Sequence, residues 1–367
     1  MVRQQLKQQT FYCMKQLNII LVGTCLTFVF NTVCAQVPGA IQQVDSTEQH
    51  RKMTQTAKTF ADGASVPELY PDESSDVGSQ TVLKIKPRKT LFEASADVQY
   101  FYTDNLFLNE KKKRDADVLV STAQFALAPT PYDIGGGAFA PRIGYQHQWF
   151  DFGLAKNTRV DVFDFDANTT ERRPVSIFDF NAQTFFVGAS WTRDNWTWDV
   201  GFDFRRLMST SSYDEFYKEY VPRWGLQKLF TLNDKMAFTV GYAGDYRFAE
   251  ANPTIFSPVF PPIVTTIPED PGDRTDHALF VSYSQTLCPK AVLQPYYQIK
   301  YTHFTASNLG RRNDLLNSFG LALYYIVCPN FEVRTFVDYN IRSSDNSAVS
   351  EYRQFDGGLG INATFRF

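Results

Sequence analysis

The chain closes on Gln354-Phe355-Asp356-Gly357-Gly358-Leu359-Gly360-Ile361-Asn362-Ala363-Thr364-Phe365-Arg366-Phe367, and this stretch decides the fold. Phe355, Gly357, Leu359, Ile361, Ala363, Phe365 and Phe367 share one parity, while Gln354, Asp356, Gly358, Gly360, Asn362, Thr364 and Arg366 share the other. Successive side chains of an extended strand point to opposite faces, so the segment reads as a strand with one apolar and one polar face. The same split recurs at Trp196, Trp198, Val200, Phe202 and Phe204 against Thr197, Asp199, Gly201, Asp203 and Arg205, and again from Phe331 to Arg342.

A soluble β-sandwich also has strands with a buried and a wet face. Loop lengths separate the two cases. Strands are expected over residues 92–102, 117–128, 139–150, 175–191, 195–208, 216–231, 235–248, 275–287, 291–304, 314–327, 331–343 and 352–367, an even number of about twelve. The connections after every second strand are mostly tight, as at Thr192-Arg193-Asp194, Asn233-Asp234, Cys288-Pro289-Lys290 and Cys328-Pro329-Asn330, and the others are mostly longer. Such alternation gathers the tight turns at one end, as an up-and-down barrel in an outer membrane requires and a Greek-key sandwich does not. Tyr100, Tyr102, Tyr145, Trp149 and Tyr352 then fall at the long-loop, outer end, and Trp191, Trp196, Trp198, Phe365 and Phe367 at the tight-turn, inner end. Amphipathic rings favour the headgroup level of a bilayer, so two girdles are expected. Closure matters because an open sheet edge in lipid leaves backbone groups without partners. The expected fold is all-β: a transmembrane antiparallel up-and-down β-barrel of about 12 strands with a disordered N-terminal extension.

Composition agrees. Lys and Arg number 36 against 39 Asp and Glu, a formal charge of -3 over 367 residues, which argues against a nucleic-acid partner held by a basic face. Aromatic residues make up 16% of the chain, yet its mean hydropathy is -0.29, unlike that of a helical membrane protein. Five Cys and four His leave little material for a metal cluster, and no metal, cofactor or catalytic residue is expected.

The first residues read as an export signal. Arg3, Lys7 and Lys15 precede an apolar run from Ile19 to Phe30, shorter than the ~20 residues of a spanning helix, and Val33-Cys34-Ala35 follows as a cleavage site. A lipidated Cys34 is disfavoured because Asn31-Thr32-Val33 lacks the small residue that should precede it, and Met14-Lys15 leaves the true start open between Met1 and Met14. Three regions result: a signal peptide over 1–35, a flexible periplasmic extension over 36–90 and the barrel over 91–367. The extension is rich in Gln, Ser, Thr, Asp, Glu and Lys without periodic apolar residues. Its basic end, Lys84, Lys86, Arg88 and Lys89, suits a solvated linker or contact with acidic lipid.

Alternation also assigns the lumen. It receives Glu93, Asp97, Asp199, Asp203, Arg205, Asp245, Arg247, Lys300, Arg334, Asp338, Arg342, Asp356 and Arg366, together with Gln99, Arg142, Arg223, Gln294, Gln298 and Glu332. Acids and bases are nearly equal in number, so neither sign dominates ion selection. Twelve tilted strands enclose a backbone cylinder roughly 24 Å wide, which side chains narrow to a channel for small hydrophilic solutes at most. Opposed charges that pair across the interior would instead close it. Both outcomes stay open from sequence.

The terminal Ala363-Thr364-Phe365-Arg366-Phe367, with Phe365 and Phe367 at alternate positions, resembles the signal that outer-membrane assembly machinery reads on barrel clients. The stretch Tyr102-Thr103-Asp104-Asn105-Leu106-Phe107, followed by the charged run from Asn109 to Asp117, resembles the first hairpin of the β-barrel porin family often associated with exopolysaccharide systems. The likeness covers mainly residues 92–130. It implies a barrel in the outer membrane of a Gram-negative bacterium, with lipid, lipopolysaccharide and the assembly machinery as partners, and it carries no catalytic residues.

Other features have modest weight. The connection from Glu250 to Arg274 contains six prolines, which stiffen it, and its Glu269, Asp270 and Asp273 match no defined calcium loop. His277 and His303 are expected near Asp276 at the outer rim, the one place where a hydrolase site is conceivable, and His147 is expected at the interface. Cys288 and Cys328 occupy matching Cys-Pro turns about 10 Å apart, beyond the ~7 Å reach of a disulfide unless the turns lean together. The functional expectation is a passive or gated channel for small hydrophilic solutes, linked to polysaccharide export. The alternatives are a closed structural or partner-binding barrel and an outer-rim hydrolase.

Overall fold

The computed structural model describes residues 40–53, 90–108, 110, 113–164, 169–210, 213–251, 272–305, 311–346 and 351–367. The expected signal peptide, the basic cluster at 84–89 and the proline-rich residues 252–271 lie outside them.

Twelve long strands follow one another: β1 (Phe92–Thr103), β2 (Ala116–Leu127), β3 (Gly137–Phe152), β4 (Phe180–Arg193), β5 (Trp196–Ser209), β6 (Glu215–Asn233), β7 (Met236–Ala251), β8 (Arg274–Cys288), β9 (Ala291–Phe304), β10 (Arg312–Cys328), β11 (Phe331–Ser344) and β12 (Tyr352–Arg366). Each pairs antiparallel with its neighbours in the chain, and β1 pairs with β12, so the sheet closes into a barrel. Closure runs from Glu93↔Arg366 to Thr103↔Asp356. The last residue completes it: Leu91 N and Phe92 N donate to Phe367 O at 3.0 and 2.8 Å, and Phe367 N donates to Phe92 O at 3.0 Å.

Alternation sets the two surfaces. Along β1, Glu93, Ser95, Asp97 and Gln99 are buried, whereas Phe92 and Val98 are exposed. The outward set includes Phe125, Ile143, Val200, Leu279, Phe319 and Leu359, an apolar band that water would not tolerate at this extent and lipid would. The tight connections sit at one end. Asp194 and Asn195, with φ of 51° and 65°, form a two-residue turn of the mirror-image type that matches strand twist. The turns before β7, after β8 and after β10 each carry a neighbouring register shift, at Met236/Ala237, Thr286/Cys288 and Ile326/Cys328.

Four features differ from the expectation. β4 starts at Phe180 rather than 175, because residues 169–174 pair with 159–164 in a separate hairpin and Val175–Phe178 wind into a single 3-10 turn between that hairpin and the barrel. The connection after β2 is not tight: Tyr132–Ile134 pair with Gly137–Phe139 across Gly135 and Gly136, whose φ of 61° and 74° suits glycine, and the hairpin extends the inner end. Tyr352 is no girdle residue. It is 1% exposed and faces the interior. Finally, residues 40–53, within the expected extension, form a helix whose partners are the inward-facing side chains of the barrel wall.

Candidate functional site: the lumen and its helix

Ala40, Gln43, Val44, Thr47, His50 and Arg51 are the buried positions of the helix, spaced at helical period on one side. This side is largely polar because the surface it meets is polar. Near the outer end, Gln42 Nε2 donates to Gln354 Oε1 at 2.8 Å and Gln42 Oε1 accepts from the Tyr352 hydroxyl. Ala40 and Val44 join an apolar cluster with Phe101, Val118, Phe150, Phe180, Leu207 and Phe216. These side chains point inward near the outer loops, so the lumen is not polar along its whole length.

In the outer half of the barrel, Asp45 meets three cations. Arg205 Nη1 lies 3.1 Å from its Oδ1, Arg247 Nη2 lies 3.1 Å from its Oδ2, and Lys300 Nζ lies 3.9 Å from the same oxygen. Opposite, His50 Nε2 bonds Asp338 Oδ2, and the Tyr296 hydroxyl donates to Asp338 Oδ1. Further toward the inner end, Arg51 Nη2 donates to Gln124 Oε1 and Gln146 Nε2 donates to Glu48 Oε2 at 3.3 Å. Beside the helix a cavity of about 700 Å³ extends from Ser190 and Thr197 near the inner turns to Asp45, Arg247 and Lys300.

The wall residues named from sequence are placed as follows. Glu93 accepts from Arg142 at 2.6 Å and from Arg366 at 2.9 Å at the inner rim, where the Arg366 side chain is 67% exposed. Asp97 and Arg334 pair at 2.7 and 2.9 Å with both side chains 1% exposed. Asp203 pairs with Arg223 at 3.0 Å, and Asp199 lines the cavity. Arg205 donates to Glu219 at 2.8 Å, and Arg247 to Asp245 at 3.0 Å, with Asp276 at 3.2 Å. The Arg342 guanidinium lies 4.5 Å over the Tyr352 ring, and Asp356 accepts from Asn340 at 3.5 Å. Phe365 and Phe367 are exposed on the outer surface at the inner end.

Sequence reasoning missed the helix contribution (Gln42, Asp45, His50, Arg51) and the wall residues Glu219 and Arg274. Glu219 lies on the inward parity of Tyr217 and Val221, but charged Lys218 beside it blurs the alternation. The rim trio does not assemble. Asp276 faces inward, bonded to Thr302 Oγ1, while His277 bonds the Tyr242 hydroxyl at 2.7 Å and His303 bonds Asn313 Oδ1 at 2.7 Å. Adjacent residues of one strand cannot share a face, so the barrel wall separates Asp276 from both histidines. Among the described residues no His, Cys, Asp and Glu are grouped to hold a metal ion. Cys288 and Cys328 are free thiols, both exposed.

In the outer loops, the Asp179 carboxyl is pushed up to about 6, chiefly by burial, with Asp151 adding to the rise; the Phe152 N–H, 2.8 Å from Asp179 Oδ1, opposes it.

No family model matches the chain, and no curated protein matches it. Among solved structures it is similar to outer-membrane β-barrels. One is an outer membrane channel from Pseudomonas putida F1, at 10% identity over 78% of this chain and 99% of that one, with a TM-score of 0.45. A second is the beta domain of the Bordetella autotransporter BrkA, at 12% identity over 75% and 100%, TM-score 0.41. A third is the KdgM porin, at 10% identity over 74% and 99%, TM-score 0.35. Similarity at this level assigns the chain neither a family nor a ligand.

Proposed function

We propose that this protein is a channel of the Gram-negative outer membrane for small hydrophilic solutes, held in a closed state by the helix over residues 40–53. The observation that carries the reading is how the helix is seated. Its contacts with the wall are mostly hydrogen bonds and ion pairs rather than a covered apolar face. Each neutral bond exchanges for one to water with a net change of about 1 kcal/mol and each bond to a charged group with about 1.5–3 kcal/mol, so a polar plug whose partners water or a solute can replace is removable in a way that an apolar core is not. The cavity beside it already runs from the inner end to Asp45, Arg247 and Lys300 in the outer half of the barrel. An association with polysaccharide export enters the proposal from the resemblance of residues 92–130 alone.

The second reading, a closed structural barrel, is favoured by the apolar cluster at the outer end of the lumen. Planar bilayers separate the two. Asp45→Arg sets a cation against Arg205, Arg247 and Lys300, and the channel reading expects discrete conductance steps at much higher open probability than in the parent chain. If the variant is correctly folded, as judged by its heat-modifiable gel mobility, and still passes no current, the closed barrel is the right account.

A further inference from the structure

The charges around Asp45 do not balance without it. Arg205, Arg247, Arg274 and Lys300 converge on this side of the lumen, and the carboxylates of the wall that face them are Glu219, Asp245 and Asp276. Four cations meet three anions, and the fourth anion is Asp45, carried by the helix. The three cations touching it belong to three different strands, β5, β7 and β9, so the backbone positions of this cradle are set by the closed wall and not by the helix. Lys300 approaches Asp45 from the cavity side, and Asp45, Arg205, Arg247 and Lys300 all line the same space. A solute entering from the inner end therefore reaches the cradle before it reaches the apolar outer cluster. When the helix leaves, a half-buried cationic cluster stays one negative charge short, an arrangement that favours an anion with oxygens placed like those of a carboxylate.

We propose that Arg205, Arg247 and Lys300 form a binding site for a small hydrophilic carboxylate, and that Asp45 occupies this site in the solute's absence. The helix is then an internal competitor: solute binding and helix seating exclude each other, and a carboxylate solute opens the path it uses. The inference rests on the lumen being a solute path and adds to it the ligand class and the opening signal.

Displacement of the helix tests this directly in the full-length protein. A spin label at Lys52→Cys, an exposed helix position, in a background with Cys13, Cys25, Cys34, Cys288 and Cys328 all replaced by Ser reports seating through its mobility. Gluconate is the probe, with sorbitol as the neutral molecule of matched size and potassium chloride at equal ionic strength as the control for screening. Gluconate is expected to mobilise the label saturably at a concentration at least tenfold below that at which chloride acts, with sorbitol silent. Asp45→Asn should lower the gluconate midpoint about tenfold, and Lys300→Gln and Arg247→Gln should each raise it about tenfold, in samples whose heat-modifiable mobility shows a folded barrel. Equal responses to gluconate and chloride, any comparable response to sorbitol, or an Asp45→Asn label that stays immobile and does not respond to gluconate overturns the proposal. The two readings fail separately: a label that responds in a protein without conductance keeps the carboxylate site and removes the channel, whereas conductance with a label indifferent to gluconate does the reverse.

Discussion

Arg334 on β11 reaches across β12 to Asp97 on β1, making two hydrogen bonds of 2.7 and 2.9 Å between side chains that are each 1% exposed. The strand it crosses presents Gly360, paired with Arg334 on one side and with Gln99 on the other. A Cβ there would lie 2.8 Å from Arg334 Cζ, so the missing side chain is what opens the route. The pair thus ties together three strands at the seam where the barrel closes.

Breaking this pair should be expensive. Asp97→Ala leaves a guanidinium buried without its carboxylate and is expected to destabilise the barrel by about 3–5 kcal/mol, while the double substitution Asp97→Leu, Arg334→Met recovers most of the loss. Urea unfolding in lipid vesicles, followed by tryptophan fluorescence, measures both. A single substitution no worse than the double would refute the account.

Gly360→Ala should cost about 1–3 kcal/mol through overpacking against Arg334. The same substitution in an Arg334→Ala background should cost little, because the atom it strikes is gone. The difference between the two is the coupling energy, and additivity would show that the glycine serves some other purpose.

The turn between β4 and β5 places Asn195 at φ 65°. Asn195→Ala should destabilise by ~1–2 kcal/mol, since a Cβ without a local hydrogen-bonding group is poorly accommodated there. Asn195→Gly should be neutral or slightly stabilising. Thermal melts of the two variants in one detergent settle the point.

Asp179 gives a pH dependence with a definite sign. Its carboxyl lies at about 6 in the folded chain against an ordinary value of 3.8, with burial the first cause. Between these values the folded state binds more protons than the unfolded one, so the group's contribution to stability falls as pH rises through the window. Asp179→Asn keeps an oxygen to accept from Phe152 N–H and removes the titration. The variant should therefore melt higher than the parent at about pH 7.5, and the gap should close by about pH 4. A gap that is constant with pH would mean that the carboxyl is not perturbed.

Cys288 and Cys328 should both react with a maleimide in folded protein purified without residues 1–35 and without reductant, giving a mass shift of two adducts. No adduct, with two restored by reductant, would show that the inner turns lean together and bridge.

Much of the barrel was legible because its signal is local. Strand count, the parity of Asp97, Arg205, Arg247, Arg334 and Asp338, and the end at which the tight turns gather all follow from neighbours one and two residues apart, since a β-strand reverses its side chains at every step. The same locality explains the errors. Tyr352 looked interfacial because a tyrosine at a strand end is usually so, yet its hydroxyl bonds Gln42, 310 residues away. The inward apolar residues Phe150, Phe180 and Leu207 keep the parity of Gln148, Thr184 and Arg205, but as apolar side chains on the polar face they read as breaks in the pattern rather than as an apolar end of the lumen.

The helix is the clearest case of what tertiary structure alone decided. A helix that packs on an apolar core announces itself by apolar residues at helical spacing, whereas this one packs on a polar wall, and its buried Gln43, Thr47, His50 and Arg51 look like those of a solvated linker. Asp45 meets Arg205 and Arg247 across 160 and 202 residues of chain. Alternation by itself determined a ring of strands with wet side chains within; only closure of that ring brought β5, β7 and β9 around one carboxylate, because charges on separate strands share a site only after the wall has curved to face itself.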